Sequence, residues 1–174
     1  MRRSLAQDAL ALDEEETLTA YHEAGHAVIG FALGGVVESV QLGGEHDVLG
    51  VRQYGDCRIA WHSIGKNLDE HLQREILTTL AGPAAELVYS GIPLEFQNLA
   101  PWKQDLDFAW SILSQIPSVE RKVETLSQLL HQLQLIIRSD RCWPAVAALA
   151  DALLAHEFLE EEEVEEIIRF WFKG

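Results

Sequence analysis

Several residue types that would point to particular functions are scarce in this chain of 174 residues. Its two cysteines, Cys57 and Cys142, lie far apart and form no CxxC pair, which excludes a disulfide framework and a cysteine-based zinc knuckle. Only 13 basic residues stand against 28 acidic ones, and the net charge is −15 at pH 7. An acidic surface repels phosphate backbones, so nucleic-acid binding is not expected.

Long apolar runs are missing as well. No stretch of about 18 apolar residues occurs, so no membrane-spanning helix is predicted. Acidic residues follow the basic N-terminus too soon for a secretory signal, and we interpret both cysteines as reduced thiols. These absences predict a cytoplasmic protein. Since 48% of the residues are apolar, the chain can bury a core, and its length predicts one domain over residues 1–174.

Hydrophobic periodicity predicts a mainly α (α+β) fold. We expect residues 1–12 to form a loose arm, 13–116 to contain the functional site, and 118–174 to form a C-terminal helical bundle. After a first helix ending near residues 34–35, valine-rich stretches predict a small antiparallel sheet. Within a helical stretch from residue 68, Gly82-Pro83 predicts a kink or a restart. The predicted strands cover residues 36–42, 48–54 and 57–62, and the later helices cover 103–116, 119–138, 144–156 and 160–172.

The pattern with the most chemical content is His22-Glu23-Ala24-Gly25-His26. On a helix over residues 17–33, the two imidazoles lie one turn apart on one face, so both can reach one zinc ion. Glu23 can then take a proton from a zinc-bound water. Two alternatives stay open at this point. The imidazoles can be a hydrogen-bonded pair in the core, or the pattern can be an accident within a helical bundle.

Three segments in the same order resemble the peptidase domain of FtsH-type ATP-dependent zinc metalloproteases. Residues 19–30, TAYHEAGHAVIG, resemble the active-site helix of that family. Residues 80–91, LAGPAAELVYSG, resemble its second helix, and residues 103–109, KQDLDFA, resemble the segment that bears its third zinc ligand. Three ordered motifs arise by chance far less often than one. With a similar closing helical pair, the resemblance covers residues 18–172.

The resemblance implies a zincin-like active-site helix and a specific ligand set. Zinc would be bound by His22, His26 and Asp105, with water in the fourth position and Glu23 as the general base. Glu86 would orient a histidine from the second helix. It is also the main alternative for the third ligand, because a glutamate on a following helix completes the site in several zinc protease classes.

Further candidates lie elsewhere in the chain. Asp107 or another histidine is a weaker alternative for the third ligand. His46 and His62 could line the cleft, but we interpret both as exposed strand or loop residues. The resemblance also places a substrate-binding edge strand at residues 49–54. There Gly50, Val51 and Arg52 would pair with an extended peptide.

The predicted function is therefore a zinc-dependent endopeptidase of unfolded or short peptides. In the family, an ATPase module and often a membrane segment precede the peptidase domain. Because this sequence has no GxxxxGK[ST] phosphate loop, we expect ATP-independent cleavage or work beside a separate ATPase unfoldase. Oligomerisation is compatible with the sequence but not specified by it. The alternative is a catalytically silent zinc-binding scaffold or a regulatory subunit of a protease complex. The presence of Glu23 favours the enzyme. The absence of an ATPase module favours the scaffold.

Overall fold

The computed structural model describes residues 5–43, 55–61 and 68–173. Within these ranges no helix is long and apolar enough to cross a membrane. Short 3-10 segments at Phe96–Leu99 and Leu113–Gln115 flank α3. In chain order the elements are α1 (Leu5–Ala32), β1 (Val36–Leu42), β2 (Gly55–Ala60), α2 (Leu68–Tyr89), α3 (Lys103–Ile112), α4 (Val119–Ile137), α5 (Cys142–His156), β3 (Phe158–Glu160) and α6 (Glu161–Phe172).

Helices dominate the described residues and accompany a three-stranded antiparallel sheet, which confirms the predicted mainly α (α+β) class. The central helix α1 packs against α2, α5 and the sheet. It begins at Leu5, so most of the stretch predicted as a loose arm continues the helix. The reason is local: leucine and alanine favour helix, and neither glycine nor proline occurs before Gly25. The helix ends as predicted, where Gly34 takes a φ of 92°.

The sheet has the order β2-β1-β3. β1 has the predicted bounds, and its Val40 lies opposite Cys57 of β2 and Leu159 of β3. β3 was not predicted, because three residues are too few to show a strand alternation. β2 is an outer strand of the sheet that the described residues form. The predicted strand at 48–54, with Gly50, Val51 and Arg52, lies outside the described residues.

The first two helices approach each other unusually closely. A Cβ on Gly25 of α1 would lie 2.5 Å from the carbonyl oxygen of Ala81 and 2.7 Å from Cβ of Ala85, both on α2. Only glycine fits there, so the backbones can nearly touch. Helix α2 continues through Pro83 without a restart. Pro83 has no N–H to donate to the carbonyl of Thr79, so this part of α2 lacks one helical hydrogen bond.

The C-terminal helices form a support behind α1. Tyr21 of α1 stacks on Trp143 of α5 with ring centroids 5.7 Å apart, and on Tyr89 of α2 at 4.1 Å. The acidic run 160–163 begins α6 as predicted, with a capping box between Glu160 and Glu163. Helices α4 and α5 also follow the predicted ranges within two residues at each end. The bundle thereby holds α1 with its opposite face toward a cleft.

Candidate metal centre

A cleft of about 790 Å³ lies between α1, α2, α3 and the start of β2. Its wall includes His22, Glu23 and His26 from α1, Glu86 from α2, and Asp105 from α3. The histidines occupy positions i and i+4 of one helix, so they face the same side, and the packing of α3 on α2 brings Asp105 to them. Residues far apart in the sequence thus meet in one place.

His22, His26 and Asp105 form a group that can hold a metal ion. One ligand atom from each lies within 4.8 Å of the other two. Nε2 of His22 is 3.5 Å from Oδ2 of Asp105, and Nε2 of His26 is 3.8 Å from Oδ1. The two rings meet edge to face, with centroids 4.6 Å apart. Both Nε2 atoms therefore face the same carboxylate across a space the size of one cation.

The other nitrogen of each ring is held by α2. Nδ1 of His26 donates to the backbone carbonyl of Thr78 at 2.8 Å. A carbonyl oxygen only accepts, so Nδ1 carries the hydrogen and Nε2 keeps its lone pair. Burial, with the neighbouring His22 as a smaller cause, lowers the pKa of His26 to about 3. This ring is therefore neutral near pH 7, as a metal ligand must be.

A second set of hydrogen bonds orients His22. Its Nδ1 donates to Oε1 of Glu86 at 2.6 Å, and the indole N–H of Trp102 donates to the same oxygen at 2.7 Å. Burial lowers the pKa of His22, but the bond to Glu86 and the charges of Asp105 and Glu23 outweigh it, so the net shift is upward. A carboxylate behind a ligating histidine is the usual outer partner of a metal site. Glu86 occupies that place.

Gly82 leaves the space in which the two rings stand. A Cβ at this position would lie 2.4 Å from Nε2 of His26 and 2.6 Å from Nε2 of His22. The smallest residue of α2 is thus found directly against the two nitrogens that face Asp105. Gly82 therefore allows both rings to pack directly against α2.

Glu23 is the buried carboxylate of the cleft. Its side chain is 7% exposed, and burial raises its pKa from 4.5 to about 7, with the charge of His22 opposing the shift. Gly55, at the start of β2, allows it to lie there, because a Cβ on Gly55 would be 2.5 Å from Cγ of Glu23. A carboxyl with a pKa near neutrality can both accept and release a proton at physiological pH.

Comparisons with known proteins add no assignment. No family model matches the chain. A search of curated proteins also found no match. The interpretation of the site therefore depends on its geometry and on the residues that form it.

The other predicted candidates fall into two groups. Asp107, a weaker candidate for the third ligand, is 63% exposed and pairs with Lys103, so it belongs to the outer side of α3. His46 and His62, like the edge residues Gly50, Val51 and Arg52, lie outside the described residues. Asp105 is thus the acidic residue of α3 that the structure brings to the two imidazoles.

Sequence reasoning missed two contributors to the site. Trp102 packs against the core, and its indole N–H also donates a hydrogen bond to Glu86. Gly82 was predicted as a helix interruption and belongs to the second resembling segment, but it was given no role at the imidazoles. A possible signal for Gly82 was its position four residues before Glu86, which puts both on one face of α2. Nothing in the sequence separates Trp102 from the other tryptophans.

Substitution of Gly82 should disrupt metal binding. We expect Gly82→Ala to weaken zinc binding by about 100-fold, because the added methyl group displaces both rings from their positions. Gly55→Ala is the contrasting variant: its methyl group meets only the flexible side chain of Glu23, so zinc affinity should change little. Titration against a competing chelator measures both. Equal zinc affinity in Gly82→Ala and wild type would contradict the close packing of the two imidazoles against α2.

Because folding raises the pKa of Glu23, replacing Glu23 with a neutral residue should stabilise the metal-free protein at high pH. A carboxyl whose pKa rises on folding contributes full stability below about pH 4.5, and this is lost as the pH rises through 7. In protein freed of metal with a chelator, Glu23→Gln should therefore raise the free energy of unfolding by about 3 kcal/mol at pH 8 and by less than about 1 kcal/mol at pH 5. Urea unfolding at both pH values measures this difference. The exposed Glu16→Gln is the control, and a gain in Glu23→Gln that does not depend on pH would contradict the prediction.

Proposed function

We propose that this chain is a zinc-dependent endopeptidase that hydrolyses unfolded or short peptides, with Glu23 as its general base. One observation carries the proposal. Two imidazole nitrogens and the Asp105 carboxylate converge in a cleft wall that also contains a buried carboxyl with a pKa near 7. Perturbed acids beside a metal-binding group in a concave site are typical of hydrolytic centres.

Zinc fits the donors. Two imidazoles and one carboxylate are a ligand set of catalytic zinc sites, and tetrahedral ligands at about 2.1 Å from the ion lie roughly 3.4 Å apart. Nε2 of His22 lies 3.5 Å from Oδ2 of Asp105, and Nε2 of His26 lies 3.8 Å from Oδ1, so both nitrogens are near that separation from the carboxylate. Bound with three protein ligands, zinc supplies an acidified water and polarises a carbonyl.

The protein residues supply the proton transfers. The Glu23 carboxylate accepts a proton from the water as its oxygen bonds to the peptide carbonyl carbon. Glu23 then delivers that proton to the amide nitrogen as the C–N bond breaks, which leaves one new carboxylic acid and one amine. The hydrogen bonds that the two imidazoles donate to Thr78 and Glu86 hold the rings in place during these steps. General acid–base catalysis of this kind contributes about 10²- to 10⁴-fold.

The backbone of a peptide substrate can lie beside the Glu23 carboxyl. β2 is an outer strand of the described sheet, and its Gly55 end contacts Glu23. Asp56, Cys57 and Ile59 of the same strand line the cleft. An extended peptide that pairs with the open side of β2 would lead its backbone past Glu23. Backbone pairing does not depend on side chains, which suits a hydrolase of unfolded chains.

The resemblance to FtsH-type peptidases supports the same proposal. Each of its three motifs, on α1, α2 and α3, contributes at least one residue to the cleft wall. A cleft of about 790 Å³ accommodates a short peptide segment rather than a folded protein. We therefore propose unfolded polypeptides as substrates, delivered by a separate ATPase unfoldase where folded proteins must be degraded. We also propose a cytoplasmic location.

The test combines metal analysis with a proteolysis assay. Protein purified without chelators should contain one zinc per chain and should cleave unfolded casein or a fluorogenic peptide library. A chelator should abolish cleavage, and added zinc should restore it. One zinc per chain without turnover on any unfolded substrate would support the silent scaffold instead. Absence of zinc after incubation with the ion would overturn the proposal altogether.

A further inference from the structure

Phe108 is an exposed aromatic residue in the wall of the cleft. Its side chain is 55% exposed, although it lines the same cleft as the metal-binding group. It follows Asp105 by three positions on α3, so the two lie one above the other on one helix face. Lys103 lines the cleft together with Gln104 and pairs with the exposed Asp107, and Ala109 is buried in the core. Phe108 thus adds a large aromatic ring to a cleft wall that α3 also lines with Lys103, Gln104 and Asp105.

Apolar neighbours extend this surface within the cleft. Leu18 precedes His22 by one turn of α1 and lines the cleft, as do Pro101 and Trp102 before α3. Exposed apolar side chains scattered singly need no explanation, but several in the wall of one concave site indicate a place for an apolar ligand group. Because Phe108 stands one turn from Asp105, a side chain packed on it belongs to a residue close to the bond being cleaved.

We propose that Phe108 forms the floor of a specificity subsite for a large apolar or aromatic side chain on a residue flanking the scissile bond. This inference rests on the proposed endopeptidase function and adds its substrate class. The backbone of the peptide is held by β2 without regard to sequence, and Phe108 supplies the selection. Segments that contain large apolar side chains are mostly buried in folded proteins and exposed in unfolded ones. The subsite would therefore direct cleavage to unfolded chains.

Cleavage of a mixed peptide library by the zinc-loaded protein tests the subsite. In the wild type, cleavage sites mapped by mass spectrometry should be enriched in Phe, Leu, Tyr, Trp or Met at one flanking position. Phe108→Ala should reduce the preference for Leu over Ala at that position, measured as the ratio of kcat/KM values, by about tenfold. Phe108→Leu should retain most of it. Phe170→Ala is the matched control, since this phenylalanine on α6 is 70% exposed and does not line the cleft.

A binding measurement gives a second readout that does not need turnover. In the zinc-loaded Glu23→Gln background, a peptide with a central leucine should bind about tenfold more weakly after Phe108→Ala, with zinc content unchanged. The outcomes separate the two proposals. An active wild type without apolar enrichment, or with enrichment unchanged in Phe108→Ala, would overturn the subsite and leave the endopeptidase standing. A zinc-loaded wild type that cleaves nothing would overturn both.

Discussion

Replacing Glu23 with glutamine is expected to reduce peptide hydrolysis by about 10²- to 10⁴-fold while zinc stays bound. Glutamine has nearly the same shape, so the ligands and the contact with Gly55 are preserved. It cannot accept a proton, however, and the water then loses its base. Initial rates on one fluorogenic peptide, with zinc content measured on the same samples, give the comparison.

The control for this experiment is Glu16→Gln, an exposed carboxylate on the same helix. It removes one negative charge without changing the cleft wall, so its rate should match the wild type. If Glu23→Gln kept more than about a tenth of the wild-type rate with zinc bound, Glu23 would not be the base. A loss of rate caused by loss of zinc would give no support to the assignment, and such a result would contradict the prediction as stated.

Removing the Asp105 carboxylate should have the largest effect on zinc affinity among the acidic residues. Asp105→Ala deletes one of the three proposed protein ligands and leaves only the two imidazoles of one helix. Glu86→Ala leaves the ligands in place but frees the His22 ring, so its loss should be about 10- to 100-fold. We expect the loss in Asp105→Ala to exceed that range by at least about tenfold. Titration against a chromophoric chelator at one pH measures both.

Asp107→Ala is the matched control for this series. It lies two residues from Asp105 on the same helix, but its carboxylate is exposed, pairs with Lys103 and does not line the cleft. Its zinc affinity should therefore equal that of the wild type. If Glu86→Ala lost more zinc affinity than Asp105→Ala, Glu86 would be the third ligand, and the ligand role proposed for Asp105 would be wrong. An effect of Asp107→Ala as large as that of Asp105→Ala would contradict the assignment equally.

The sequence was sufficient for the local parts of this molecule. The valine-rich stretch predicts β1 at its observed bounds, and the glycine pair after α1 predicts the end of that helix. The spacing of His22 and His26 fixes their shared face, since helix geometry alone decides it. In each case the deciding interactions lie within a few residues. The predicted helix at 103–116 also exists, although its last turn is a 3-10 segment at Leu113–Gln115.

Non-local features could not be obtained from periodicity. Which carboxylate reaches the imidazoles depends on how α3 packs on α2, so the residues alone left Asp105 and Glu86 as alternatives. The role of Trp102 arises because a loop brings its indole to Glu86, sixteen residues earlier in the chain. β3 owes its pairing to β1, more than a hundred residues away. Tertiary packing determines such contacts, and the local propensities of the residues do not predict them.

The most direct test of the account is a crystal structure of the zinc-loaded protein with anomalous data collected at the zinc absorption edge. We predict one strong peak, about 2.0–2.2 Å from Nε2 of His22, Nε2 of His26 and one carboxylate oxygen of Asp105, with a water completing the tetrahedron. Glu86 should remain on Nδ1 of His22. A peak that is absent from the cleft, or coordinated by Glu86 while Asp105 points away, would contradict the account.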